Sequence, residues 1–385
     1  MRDGNEVFKA SFSALSGTAV AKAAATTGNT HQGIRMRRIS PAGLKRIHGT
    51  PKKPQIKGQT QNPSESLRLT DETRESGLGV LWAGGTLPTS RGAVLSSTTI
   101  ATKKPILLGG EALANAVASI SFPFSEVVQS QRSFIAAAWA LRRHGIICLR
   151  GAASNQDLTS IRDEIDHLLG NIESNDISNL QDIAYLNLPN HRVLKGYNNF
   201  RDADRPVINY RVKRPDGRTG SDAGMIDIFH PERLSTNLGK RIQNCLHEKL
   251  IQRLLLVSSL NQMKVKCRNL YLNRGVQDTR SYHCDGRSLK FKSFVYISDV
   301  NELNDGPYCY VKGSHRRRRI WWRSALFNKK NQLGPFEFSQ LQGTEAISLF
   351  AKAGDMVLSS QKGAHCGHPQ HPKAKRTVLV NMYQR

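Results

Sequence analysis

The stretch KFKSFVYISDVNELNDGPYCYVKGSH, Lys290–His315, decides how the chain folds. Phe294, Tyr296 and Ser298 alternate with Val295 and Ile297, the period of two that a β-strand imposes on its side chains. NELNDGP, 301–307, then gathers Asn, Asp, Gly and Pro, which favour tight turns. YCYV, 308–311, returns as a second strand and runs into KGSH.

The same signature recurs on either side. KVKCRNLYLNR (264–274), AISLFAKAGDMVLSS (346–360) and RTVLVNMYQ (376–384) are β-rich runs separated by turn residues, and together they predict a sandwich or barrel. Upstream the period becomes helical. QRSFIAAAWALRRHG (131–145) predicts a helix stopped at Gly145, and IICLRG a short buried strand. SNQDLTSIRDEIDHLLG (154–170) predicts a capped amphipathic helix, and PVINYRV (206–212) a strand. ERLSTNLGKRIQNCLHEKLIQRLLL (232–256) predicts one helix with Gly239 as its weak point. The expected class is mainly β with flanking helices, an α+β arrangement in which the helices come first.

The 385 residues suffice for one large domain or two ordinary ones. Residues 1–125 are rich in Ala, Ser, Thr, Gly, Lys and Arg with no sustained period, so a disordered basic segment is expected ahead of a domain over 131–385. Asp3 and Glu6 argue against an organelle transit peptide, and no apolar secretory core is present. No apolar run approaches the ~18 residues of a membrane span. The six cysteines (148, 245, 267, 284, 309, 366) include no CxxC pair, which suits reduced thiols in a cytoplasmic protein. A formal charge of +26 points to anionic partners: nucleic acid, acidic lipid, or phosphorylated or carboxylated small molecules. HRRRRIWWRS (315–324) is the most basic run of the β-rich half. It suits a lip for an anionic substrate or a contact for single-stranded nucleic acid, and equally a solvated loop.

Two short motifs carry chemistry. In RSYHCDG, 280–286, His283 and Asp285 lie two apart, so on a strand both leave one face while Cys284 leaves the other. An imidazole beside a carboxylate is two thirds of a 2-His-1-carboxylate triad, the ligand set of non-haem Fe(II) oxygenases. KGAHCGHPQHPKAKR, 362–376, offers His365, His368 and His371 as the third ligand, or a zinc site with Cys366. His368 and His371 flank Pro369 and Pro372 in a turn, and a zinc site lacks a recognisable fourth ligand.

The order of these elements (HCDG, then VYISDV, DGPYCYVKGSH, and GDMVL through GAHCG to Arg376) resembles the phytanoyl-CoA dioxygenase family, from about Leu141 to the C-terminus. The resemblance implies a double-stranded β-helix (jelly roll, cupin-like) and an enzyme dependent on Fe(II), 2-oxoglutarate and O2. It makes His283, Asp285 and His365 the metal ligands and Arg376 the cofactor-binding residue, holding the distal carboxylate of 2-oxoglutarate through a planar fork that Lys375 lacks. With a carboxylate at 285 the implied reaction is hydroxylation of a small-molecule or lipid-like substrate, 2-oxoglutarate leaving as succinate and CO2; the basic run at 315–324 would suit an anionic one. Asn273 and Lys292 are further candidate contacts for 2-oxoglutarate, and His315 in KGSH a residue that closes a turn. GMIDIFHPERL (224–234) is expected to cover the mouth of the barrel, with no chemistry assigned to Asp227 or His230. The alternative is a non-catalytic, basic nucleic-acid-associated protein on the same β-fold.

Overall fold

The computed structural model describes residues 102–175, 185–196, 200–214 and 219–385; residues 1–101 lie outside it. In chain order the elements are β1 (Ile106–Leu107), α1 (Gly110–Ala118), β2 (Ser121–Pro123), α2 (Phe124–Gln129), α3 (Gln131–His144), β3 (Ile146–Arg150) and α4 (Asn155–Asn175). Then come β4 (Tyr185–Asn187), β5 (Arg192–Lys195), β6 (Val207–Tyr210), β7 (Met225–Phe229), α5 (Thr236–Leu246) and α6 (Glu248–Ser259). The C-terminal half is β8 (Lys264–Arg274), β9 (Lys290–Tyr296), β10 (Tyr308–Val311), α7 (Arg318–Lys330), β11 (Glu345–Leu349), β12 (Met356–Ser360), β13 (His365–Gly367) and β14 (Lys375–Gln384).

Among the described residues two sheets form, ordered β2-β3-β12-β9-β14-β8-β7-β6-β5-β4 and β1-β11-β10-β13. The segment around His283 extends the smaller one, because His283 and His365 exchange both backbone hydrogen bonds, at 2.9 and 3.0 Å. From β8 onward the chain therefore passes back and forth between the sheets, staying in the small one only from β10 to β11. β8, β9, β12 and β14 lie in the large sheet; the His283 segment, β10, β11 and β13 lie in the small one. This is a double-stranded β-helix. Between the sheets lie Phe294, Tyr296, Tyr308, Tyr310, Ile347, Leu349, Val378 and Val380. The large sheet's other face packs Val295, Ile297, Leu358 and Leu379 against Leu141, Ile161, Ile242 and Leu254 of the helices. The alternation at 294–297 thus divides one strand between two cores.

Four expectations change. The part of the expected disordered segment that is described, 102–125, is structured: β1 pairs in parallel with β11, and Leu113, Ala116 and Val117 of α1 cover the inter-sheet cluster. The helix expected over 232–256 breaks at His247, left-handed at φ 45°, and not at Gly239. Gly239 stays helical, its amide donating to the Ser235 carbonyl at 3.0 Å, and the lack of a Cβ permits a close approach of the Glu232 carbonyl oxygen, which a Cβ would meet at 2.6 Å. GMIDIFHPERL supplies β7, buried between β6 and β8, instead of a cover for the barrel mouth. The basic run enters α7 instead of a loop, since Ile320 and Trp321 pack with Val311, Phe338 and Leu341 while Asn328 bonds the carbonyls of Gly334 and Glu337. His315, expected to close a turn, reaches back to α3, its Nε2 lying 3.2 Å from the Arg142 carbonyl.

Candidate metal centre

His283 and His365 stand opposite one another on adjacent strands of the small sheet, ring centroids 4.5 Å apart. The Asp285 amide donates to the Gln361 carbonyl at 2.9 Å, and that of Cys284 to Phe336 at 2.9 Å, so the motif is fixed by its backbone on both sides. Each imidazole is oriented by a carbonyl two residues earlier: Nδ1 of His283 lies 2.8 Å from the Ser281 oxygen, and Nδ1 of His365 lies 2.9 Å from that of Gly363. A ring nitrogen facing a carbonyl must carry the proton, which assigns the Nε2 lone pairs to the other side. Those lone pairs converge on one carboxylate oxygen. Asp285 Oδ1 lies 3.6 Å from Nε2 of His283 and 3.8 Å from Nε2 of His365. The other oxygen, Oδ2, lies 2.6 Å from the Lys292 ammonium.

Nε2 of His283 is enclosed and has no hydrogen-bond partner. A buried acceptor left unpaired costs roughly 1–3 kcal/mol, so the arrangement is unfavourable until something accepts the lone pair. Among the described residues His283, Asp285 and His365 form a group whose ligand atoms all lie within 4.8 Å of one another. Burial drives the His283 pKa well below its usual value, helped by Arg280 and His365. Burial likewise lowers His365 to about 4, against the pull of Asp285. For Asp285 burial acts upward, but Lys292 and the two imidazoles outweigh it and hold the carboxyl well below its usual range. At neutral pH the donors are two neutral imidazoles and one carboxylate, a set that fits Fe(II).

Those shifts predict an acid-sensitive apoprotein. Between the ordinary histidine value near 6.5 and the folded value of about 4, the unfolded chain takes a proton at His365 that the folded protein refuses. Stability is therefore complete above pH 6.5 and falls as pH drops towards 4, by about 3 kcal/mol from this one group. Urea midpoints at several pH values measure it. A His365→Ala variant should lose less over the same window, and an equal loss would contradict the assignment.

Arg376, the second residue of β14, stands opposite Asn273 of β8 and shares a strand face with Val378 and Val380, which line the inter-sheet core. One terminal nitrogen donates to the Gly306 carbonyl. Its Nε is enclosed without a partner, as is the side-chain oxygen of Asn273. No hydrogen bond or ion pair among the described residues ties Arg376 to the triad. Lys292, considered above as a contact for 2-oxoglutarate, is a salt-bridge partner of Asp285, at 2.6 Å.

His368 and His371 stay in the turn. His368 Nδ1 sits 2.9 Å from the Pro369 carbonyl, and His371 Nδ1 accepts from the Lys373 amide at 3.3 Å. Cys366 opposes Cys309 across β10 and β13, one residue out of phase with His365 and so on the sheet's other face. No zinc cluster forms from Cys366, His368 and His371. Asp227 is held by Arg211 at 2.8 Å and Asn269 at 2.7 Å, and His230 by the Arg201 carbonyl at 2.8 Å, both apart from the triad. Sequence reasoning passed over Tyr308 and Gln361. The Tyr308 ring lies 5.6 Å from that of His365, and its hydroxyl is 3.1 Å from Ser359 Oγ, to which Gln361 donates at 2.9 Å. The pattern of YCYV predicts a strand and gives no sign of that neighbour.

No protein-family model matches the chain, and no curated protein matches it. Among solved structures it is similar to the non-heme alpha ketoglutarate dependent epimerase SnoN from nogalamycin biosynthesis, at 13% identity and a TM-score of 0.41, covering 64% of this chain and 81% of that one. AviO1 from Streptomyces viridochromogenes gives 16% identity and a TM-score of 0.40, covering 65% and 94%. HygX from Streptomyces hygroscopicus, with nickel and 2-oxoglutarate bound, gives 12% identity and 0.35, covering 63% and 84%. Likeness at this level says nothing of substrate or chemistry.

Proposed function

We propose that the protein is an Fe(II)- and 2-oxoglutarate-dependent dioxygenase that hydroxylates a small-molecule or lipid-like substrate, with 2-oxoglutarate decarboxylated to succinate and CO2. The observation that carries this reading is the convergence of two neutral Nε2 lone pairs and one ionised oxygen, with His283 Nε2 otherwise unpartnered. The chemistry supplied by Fe(II) and 2-oxoglutarate when bound is the activation of O2.

The chain's own residues do the positioning. The carbonyls of Ser281 and Gly363 fix the tautomers of His283 and His365, as carbonyl partners do for ligating histidines elsewhere. Lys292 takes one oxygen of Asp285 and leaves the other to the histidines' side. Arg376 offers Nε to the distal carboxylate of 2-oxoglutarate, with Asn273 as its neighbour. Phe294, Tyr296 and Tyr308 wall the inter-sheet space and keep water from the reacting centre. Lys290, whose Nζ lies 3.3 Å from the Asp285 carbonyl, and Arg280, whose charge acts on both His283 and Asp285, favour an anionic substrate. Free, buried cysteines favour a reducing compartment, the cytoplasm. A non-catalytic nucleic-acid role leaves the unpartnered His283 nitrogen without a purpose.

Anaerobic addition of Fe(II) and 2-oxoglutarate to the whole chain should raise a metal-to-ligand charge-transfer band in the visible. Folded protein that shows no band overturns the reading.

A further inference from the structure

α7 carries a surface that packing does not explain. Its inner side is anchored: Ser324 and Asn328 are buried, Asn328 bonds the carbonyls of Gly334 and Glu337 and accepts from Ser339 at 2.6 Å, and Trp321 lies under Arg287 at 5.0 Å. Its outer side presents Trp322 and Leu326, one turn apart, 58% and 66% exposed. Arg318, Arg319, Arg323 and Lys329 flank them, all exposed. The helix contains no carboxylate to pair with these cations. Its first turn holds arginines where the helix dipole disfavours positive charge, and its N-cap, Arg317, makes no side-chain capping bond. Folding alone would select the opposite charge here.

A second exposed aromatic lies on the helix next to the approach to α7. The amide of Gly313 donates to the His144 carbonyl at 2.7 Å, joining the approach to α7 to the C-terminus of α3. On α3, Trp139 is 61% exposed with Arg142 5.8 Å above its ring, and Ile135 one turn earlier is also exposed.

We propose that the outer face of α7 docks the protein onto an anionic lipid surface, Trp322 and Leu326 entering the headgroup–acyl boundary while the arginines pair with lipid phosphates and carboxylates. Charge complementarity selects an anionic partner, and the aliphatic residues select lipid over nucleic acid. Leu326 has no ring on which a base could stack, whereas an amphipathic helix with a Trp/Leu face and a basic flank suits a bilayer interface. The inference is independent of the iron chemistry.

Co-sedimentation with vesicles tests it, using the full chain at about 0.1 M salt, on phosphatidylcholine alone and with about 30% phosphatidylserine. Residues 1–101 are themselves rich in Lys and Arg, so the comparison that decides is between wild type and two α7 variants. Trp322→Ser with Leu326→Ser, and Arg318→Glu with Arg319→Glu, should each lower partitioning onto the anionic vesicles about tenfold or more. Wild type should bind pure phosphatidylcholine far less well. Circular dichroism and thermal melting should match wild type, because all four side chains are exposed. Variants that sediment like wild type overturn the proposal, as does a wild type that binds neither vesicle. Variants that lose affinity for a single-stranded oligonucleotide, or lose self-association, while keeping vesicle binding also overturn it.

Discussion

His365→Ala should weaken Fe(II) binding by more than about a hundredfold, and His368→Ala should leave it within about twofold. The two histidines lie three positions apart and are chemically identical, so only placement separates them. His365 is 4% exposed, oriented by the Gly363 carbonyl, and directs Nε2 at Asp285 Oδ1. His368 lies beyond the end of β13, and its Nδ1 is engaged by the Pro369 carbonyl. Truncating His365 removes one of three donors and leaves Asp285 and His283 to hold the ion alone. Truncating His368 removes a side chain from a turn whose lock is elsewhere, in the Gln370 amide group between Val276 and the Asp305 carbonyl. Anaerobic metal titration of both variants decides the matter. A damaging His368→Ala with an innocuous His365→Ala reverses the assignment.

The strands from β8 onward were legible in the sequence because they satisfy local rules. KFKSFVY alternates, and NELNDGP supplies turn chemistry that the structure uses, with Gly306 at φ 74° where a Cβ would strike Gln370 at 2.4 Å. The HxD spacing placed His283 and Asp285 on one side of a segment without any knowledge of its partner. What stayed hidden depended on distant parts of the chain. MIDIF is apolar at almost every position, which fits a strand buried on both faces as readily as a covering segment. Nothing local in HRRRRIWWRS announces a helix, and burial of Ser324 and Asn328 against residues 334–340 makes it one. Lys292 is one lysine among many until the His283 segment brings Asp285 to it across the two sheets. Residues 102–125 acquire structure by adding to an edge strand whose own sequence begins at Glu345.

Arg376→Met should lower the affinity for 2-oxoglutarate roughly a hundredfold while leaving thermal stability almost unchanged. A guanidinium that stabilised the fold would have its donors satisfied; here one is given to the Gly306 carbonyl and Nε to nothing. Burial also lowers the Arg376 pKa, the sign of a cation kept where its charge is poorly solvated. Methionine keeps much of the side chain's length and apolar contact along β14, and it removes the unpaired donor, so the folded state loses little. The co-substrate loses a charge-assisted pair worth about 3 kcal/mol, which is the hundredfold. Arg376→Lys restores a positive charge without the planar fork and should recover only part of the affinity. Equilibrium binding of 2-oxoglutarate to the Fe(II)-loaded variants, read alongside melting curves, distinguishes the two roles. Loss of stability with unchanged 2-oxoglutarate affinity would make Arg376 a structural clamp on the 304–307 turn and would require another cation to hold the distal carboxylate.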